Sequence, residues 1–347
     1  LASLDGVRRE VQNPRNPWRE QQVCWDPGES SVTLRVQEVS ARSIVSKNDS
    51  PDIPFRFGLN PYQGCYHGCV YCYARPSHQY LGLGSGTDFE RNILVKTNAP
   101  SLLEKAFASS SWQGEMLVFS GNTDCYQPLE AAYGLTRACL EVCLSHRNPV
   151  GVITKGGVAL RDVSLLAELA AVTSVQAFIS IPFASTELAR TFEPFAAPIH
   201  KRFELLRELS QAGVSTGISI SPLIPGANDG DVAELLARAS AAGARSAFMS
   251  PLRLPGEVAE VFFSSLRDSL HPARVERIKH GIQELRGGKL NDSNFGSRMC
   301  GQGARWDALR RLFEIQCRRH GLNRNPLGES TVAKTFQRSR RQLGLFE

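Results

Sequence analysis

Residues Gly64-Cys65-Tyr66-His67-Gly68-Cys69-Val70-Tyr71-Cys72-Tyr73 set three cysteines in a C-x3-C-x2-C pattern. A β-rich run, Phe55–Asn60, precedes them, so the triplet falls in a loop directly after a strand. Three soft thiolates at this spacing can wrap one corner of a metal cluster. A cubane [4Fe–4S] needs four ligands, so Cys65, Cys69 and Cys72 would leave one iron open to an exogenous ligand. Gly64 and Gly68 let the backbone bend close round the sulfurs. Tyr71 and Tyr73 offer aromatic walls against solvent. Zinc is the alternative, with His67 as a fourth ligand, although no second C-x2-C follows to build a ribbon.

Outward from the triplet, short β-rich runs alternate with helical periodicity. The expected strands are Phe55–Asn60, Met116–Ser120, Val150–Thr154, Val175–Ile181, Val214–Ile220 and Ser246–Ser250. The clearest helices are Leu129–Cys143, Asp162–Ala171, Lys201–Ala212 and Val232–Ala242, with Gly213 and Gly243 placed as helix stops. This is an α/β pattern with a parallel sheet. Six units predict a partial, TIM-like (β/α)6 barrel, whose chemistry gathers at the C-terminal ends of the strands. Ser31–Lys47 reads as strand-like, and Leu266–Leu285 and Arg305–His320 as two further helices. The expected organisation is an N-terminal extension (1–50), the barrel (51–290), a helical segment (291–321) and a basic, disordered tail (322–347).

Composition sets limits. The 347 residues are 42% hydrophobic and 21% charged, which is globular rather than disordered or fibrous. No run is apolar and long enough for a membrane span, and the first thirty residues lack the apolar stretch of a secretory signal. The expectation is a cytoplasmic protein in a reducing compartment, where nine cysteines are not a disulfide framework. The net charge of +6 is concentrated at the end: residues 298–347 carry eleven Lys and Arg against four Asp and Glu.

The triplet ahead of a six-unit βα pattern resembles the radical S-adenosylmethionine (SAM) superfamily. The wider context is similar to its spore photoproduct lyase-like group, also called DNA repair photolyase-like. The shared phrases are Asn60-Pro61-Tyr62-Gln63-Gly64-Cys65, Asp88-Phe89-Glu90 with Val95-Lys96, Thr123-Asp124-Cys125-Tyr126-Gln127-Pro128-Leu129-Glu130, and Thr154-Lys155-Gly156. The resemblance implies a radical SAM barrel whose [4Fe–4S] cluster sits on Cys65, Cys69 and Cys72. There SAM is cleaved to a 5′-deoxyadenosyl radical that abstracts a hydrogen, with a flavodoxin- or ferredoxin-like reductant. It further implies SAM contacts from Thr123 and Asp124 to the amino group, from Lys155 to the carboxylate and from Ser180 to the ribose. Ser219 and Tyr71 would complete the cofactor set. In spore photoproduct lyase a cysteine stands three residues before the matching aspartate; here that residue is Gly121. Cys125 is the nearby candidate for a thiol hydrogen donor, with a structural core cysteine as the plain alternative. For the other positions the plain readings are a helix cap at Thr123-Asp124, a solvated Lys155 and a backbone-bonded Ser180.

Arg310, Arg311, Arg318 and Arg319 lie on a helix whose Trp306, Leu309, Leu312, Phe313 and Ile315 are available for packing. They could meet phosphates, or form a solvated face. At the terminus, Gln342, Leu343, Leu345 and Phe346 resemble a bacterial sliding-clamp-binding motif. Three functions are consistent with these features. One is a radical SAM enzyme acting on a DNA base. The second is the same chemistry on a protein, peptide or small molecule. The third is a non-catalytic metal-binding scaffold recruited to the clamp.

Overall fold

The computed structural model describes residues 34–324 and 335–338. Their strands are β1 (Arg35–Val39), β2 (Val45–Lys47), β3 (Phe57–Leu59), β4 (Tyr62–Gln63), β5 (Asn92–Lys96), β6 (Leu117–Phe119), β7 (Val150–Thr154), β8 (Val175–Ser180), β9 (Ser215–Leu223) and β10 (Ser246–Pro251). The α-helices are α1 (Thr87–Arg91), α2 (Ala99–Ala108), α3 (Glu130–Tyr133), α4 (Leu135–Ser145), α5 (Val163–Val172), α6 (Thr186–Phe192), α7 (Ile199–Gln211), α8 (Val232–Ala241), α9 (Val258–Ser269), α10 (Pro272–Leu285) and α11 (Gly303–His320).

All six expected strands form. They pair in parallel in the order β3-β6-β7-β8-β9-β10, and β2 joins β3 antiparallel to complete a seven-stranded sheet. Each crossover steps to the next neighbour without reversing, which is how a (β/α) barrel wall is wound. Period-2 alternation sorts the side chains. Val150, Val152, Ala177, Ile179, Ile218 and Ile220 are almost wholly buried, beneath helices that contribute Leu140, Leu166, Leu206 and Leu236. Each such leucine adds about 2 kcal/mol by leaving water. The opposite face carries Ile153, Phe178 and Gly217 in one register layer, then Ser180, Ser219 and Phe248 in the next. The wall is therefore apolar toward the helices and turns polar, serine by serine, near its C-terminal edge.

Gly213 and Gly243 close α7 and α8, with the Val214 and Ala244 N–H groups returning to Leu209 O (3.0 Å) and Ala239 O (2.9 Å). Cys139 and Cys143 are core residues of α4, fully buried. Three readings change. Ser31–Lys47 is not one strand: β1 joins β5 and β4 in a separate small sheet, while β2 belongs to the barrel wall. The run Leu266–Leu285 is two helices, because Pro272 cannot continue α9 and instead opens α10 with His271 Nδ1 accepting from Ala273 N. Ile315 is exposed rather than packed, whereas Trp306 is buried.

β10 would be a bare sheet edge. Asn323 covers it: its amide exchanges two hydrogen bonds with Ala247, N–H to Oδ1 at 2.8 Å and Nδ2 to O at 2.9 Å. In the stretch expected to be a disordered tail, Thr335–Arg338 is packed against the other end of the barrel. Phe336 lies against Phe107 and stacks on His146, Gln337 N–H donates to His146 O (2.7 Å), and Arg338 donates to Trp112 O (2.9 Å). The clamp-like Gln342, Leu343, Leu345 and Phe346 lie outside the described residues. Among the described residues no helix is long and apolar enough to cross a membrane.

Candidate active site

The triplet loop leaves β4 and crosses the C-terminal edge of the sheet. Its backbone turns where the sequence predicted: Gly64 (φ +86°) and Gly68 (φ +64°) are left-handed, and a Cβ on Gly64 would sit 2.9 Å from Phe89 O. Arg75 braces the loop from inside. It is wholly buried, donates to Cys69 O (3.0 Å), Gly68 O (3.3 Å), Ser85 O (3.0 Å) and Gly86 O (2.9 Å), and pairs with Glu90. His78 adds a bond from Nε2–H to Asn92 O at 2.8 Å. Burial lowers its pKa to about 4, so the ring is neutral.

Cys65 and Cys69 are buried and Cys72 is partly so, all three as free thiols. Burial is the main cause that pushes each of them up, Cys69 to about 12. His67 does not join them. Its Nδ1 faces the Asp124 carboxylate at 3.4 Å. Among the described residues no three His, Cys, Asp or Glu side chains converge on a single ion. Three cysteine thiols on one loop are the donor chemistry of a [4Fe–4S] cluster with one iron left open, so the donor set fits that cluster.

Beside the triplet, the ends of β6 and β7 are joined through Asp124. Its carboxylate accepts from Thr154 Oγ1 (2.7 Å), Lys155 N–H (2.7 Å) and Tyr126 N–H (2.9 Å). Burial alone would raise this carboxyl, but His67 and these bonds hold it down to about 2. Lys155 extends the inward register of Ile153, beside Ser180, with Nζ 5.7 Å from the Tyr71 ring centre. Burial works against its ammonium, yet Glu193 and Cys69 hold the pKa above the usual lysine value. A retained cation therefore stands between the triplet and the serine-lined edge. Tyr71 O–H donates to Glu193, which Arg202 holds at 2.6 Å; Arg202 in turn donates to Ser180 O at 3.0 Å. Ser180 and Ser219 are register partners, and both are buried.

Thr123 has another duty: its hydroxyl donates to Tyr62 O at 2.6 Å. Gln127 grips the same loop, accepting from Tyr66 N–H (2.9 Å) and donating to Gly64 O (3.0 Å). Cys125 is buried, its N–H bonded to Ser120 Oγ (2.8 Å) and its thiol pushed well up by burial. Gly121 O accepts from Tyr73 O–H at 2.9 Å.

Sequence reasoning missed Arg75, Glu193 and Arg202. Single charged residues in helical or loop sequence carry no motif, and only their burial reveals them. Glu130 was part of a quoted phrase but had no assigned role. Fully buried, it bonds to Tyr62 O–H, Thr136 N–H (2.9 Å), Arg137 N–H (3.2 Å) and Arg161 (2.8 Å), tying β4 to α4.

A singly wound parallel wall with a cysteine-triplet loop and a partly buried lysine at its C-terminal edge defines a cluster-bearing (β/α)6 enzyme class. The family model described as "Radical SAM superfamily" matches residues 59–239, and the chain belongs to that superfamily. The enzymes of this superfamily use a [4Fe–4S] cluster and SAM. An uncharacterized protein of Mycobacterium tuberculosis is 32% identical over 249 residues, covering 71% of this chain and 73% of the relative. One from Methanocaldococcus jannaschii is 26% identical over 192 residues, 55% of this chain and 69% of that one. Among solved structures, a cysteine-to-alanine variant of spore photoproduct lyase superposes with TM-score 0.61 at 15% identity, covering 88% of this chain and 87% of that one. A double variant with bound AdoMet and dinucleoside spore photoproduct gives TM-score 0.57 at 16% identity, covering 86% and 84%. These likenesses show a shared fold.

Proposed function

We propose that this enzyme binds SAM between the triplet loop and the serine-lined strand ends, and acts on a base of a nucleic acid. The observation that carries the reading is that Asp124 joins the Lys155 backbone to His67 of the triplet loop at the strand ends. Cys65, Cys69 and Cys72 would hold the cluster. When bound, the cluster supplies the electron that cleaves SAM to methionine and a 5′-deoxyadenosyl radical, which takes a hydrogen atom from the substrate. The residues do the rest. Lys155 presents a retained ammonium to the SAM carboxylate. Asp124 fixes the Lys155 backbone and offers a carboxylate toward the SAM amino group, with Thr123 holding the loop under it. Ser180 and Ser219 give hydroxyls to the ribose. Tyr71, locked by Glu193, closes the site to water.

Cys125 is the proposed hydrogen-atom donor. Burial keeps its thiol protonated, and that is the form able to return a hydrogen to a carbon radical. The nucleic-acid assignment draws on the fold shared with spore photoproduct lyase and on the basic end of the chain. A flavodoxin- or ferredoxin-like reductant, a cytoplasmic location and a sliding-clamp contact through Gln342–Phe346 belong to the same reading. The test is hydrogen transfer: an oligonucleotide deuterated throughout its bases should pass deuterium into 5′-deoxyadenosine. Deuterium appearing there only from labelled peptide or from solvent would contradict the nucleic-acid reading.

A further inference from the structure

Arg253 stands just past the end of β10, with its guanidinium 5.8 Å from the ring centre of Tyr73, the residue after the last triplet cysteine. It is half-buried and has no carboxylate within ion-pair distance among the described residues. Its Nε is shielded from solvent and unbonded, and its one hydrogen bond goes to Met299 Sδ at 3.4 Å. Leaving a guanidinium partly desolvated without an anion is costly. The surroundings fix the loop that carries the residue. Arg286, buried beneath, donates to Leu252 O (2.7 Å), Arg298 O (3.0 Å) and Cys300 O (2.8 Å), stapling the Arg253 loop to the 298–300 loop. Asn291 Oδ1 accepts from Leu254 N–H at 3.1 Å on the other side. Next along the same rim, Arg298 is neutralised by Asp52 at 2.6 Å and lies 4.3 Å above the ring of Phe295, which is 62% exposed. Tyr73 is 49% exposed. The rim thus offers a cation with no ion pair among the described residues, beside two aromatic side chains that are partly open to solvent.

Resting on the nucleic-acid reading, we infer that Arg253 is a phosphate-docking residue, which receives a backbone phosphate of single-stranded or extruded nucleic acid while a flanking base stacks on Phe295. Planar guanidinium matches phosphate geometry, and exposed aromatic faces beside it suit unpaired bases. Arg286 adds to the positive field, Arg298 is spent on Asp52, and neither competes, since each is already bonded within the protein.

The test uses the full chain, anaerobically reconstituted, and a fluorescent single-stranded oligodeoxynucleotide read by anisotropy across a salt series. Arg253→Gln should weaken binding about tenfold and lower the salt slope by about one, whereas Arg253→Lys should keep most of both. Phe295→Ala should weaken binding with the slope unchanged, because it removes stacking and no charge. Parent and Arg253→Gln binding alike, with equal slopes, would overturn the docking role while leaving the nucleic-acid reading intact. No binding by the parent even at low salt would overturn that reading and the docking role together. A loss of SAM binding in Arg253→Gln with oligonucleotide affinity intact would overturn it too, assigning the guanidinium to SAM.

Discussion

Gly156 follows the inward-facing lysine and separates two loops that must nearly touch. A Cβ built there would lie 2.0 Å from the Tyr126 carbonyl oxygen, a backbone atom, where real contacts begin near 3.0 Å. In Gly156→Ala the two loops must therefore part by about 1 Å. The joint that opens is the one Asp124 makes with Thr154 and Lys155, both bonds at 2.7 Å. Stretched to about 3.7 Å, neither is a hydrogen bond any longer. The backbone of Gly156 is ordinary (φ −85°), so the penalty is steric alone. Stability should fall by about 1–3 kcal/mol. The larger effect is on Lys155, whose displacement by about 1 Å should slow SAM cleavage roughly 10²-fold. Cluster loading should be retained, because the triplet loop is braced by Arg75 and Gln127 instead. The assay is 5′-deoxyadenosine release from cluster-matched protein under reducing, anaerobic conditions. A release rate equal to the parent's would refute the placement of Lys155 through Asp124.

Glu130→Ala strands the Tyr62 hydroxyl and the Thr136 N–H while Arg161 keeps Asp162, and should cost about 1–3 kcal/mol in urea unfolding; no loss at all would show the network to be dispensable. His78 gives the loop an acid limit. Its folded pKa, about 4 against 6.5, is depressed, so its contribution is complete above pH 6.5 and is lost as pH falls toward 4. That loss is worth about 3 kcal/mol, and His78→Gln should flatten the profile of unfolding free energy over this window. Phe336→Ala should lower stability by about 1–3 kcal/mol, read by thermal melting, by emptying the pocket between Phe107 and His146; an unchanged melting temperature would mean that the docked segment contributes nothing.

The barrel wall was legible because its strands are short apolar runs between amphipathic helices, and both periodicities survive in the sequence. Val175–Ser180 and Val232–Ala241 were placed almost to the residue. The small sheet was not legible. β4 is two residues long and β1 is mostly exposed, so neither carries an alternating pattern strong enough to separate it from loop. The triplet stood out because cysteine spacing is itself the chemical signal. Lys155, Ser180 and Ser219 were placed at strand ends, and the register puts them on one inward face. Arg75, Glu193, Arg202 and Arg253 were invisible, since an arginine in sequence does not declare whether it will be bonded, buried or left waiting. The quoted phrases around Gln127 and Glu130 also turned out to hold the triplet loop rather than to face the site.

Cys65, Cys69 and Cys72 are proposed to hold a redox-active cluster that drives SAM cleavage under the control of Lys155. The most direct measurement is 5′-deoxyadenosine formation by anaerobically reconstituted, dithionite-reduced protein, with iron and sulfide counted in the same samples. About four irons per chain and steady release of 5′-deoxyadenosine are expected. Both should be lost in Cys69→Ala, whereas Lys155→Met should keep the iron and lose the release. Zinc uptake in place of iron, or undiminished 5′-deoxyadenosine from Cys69→Ala, would contradict it.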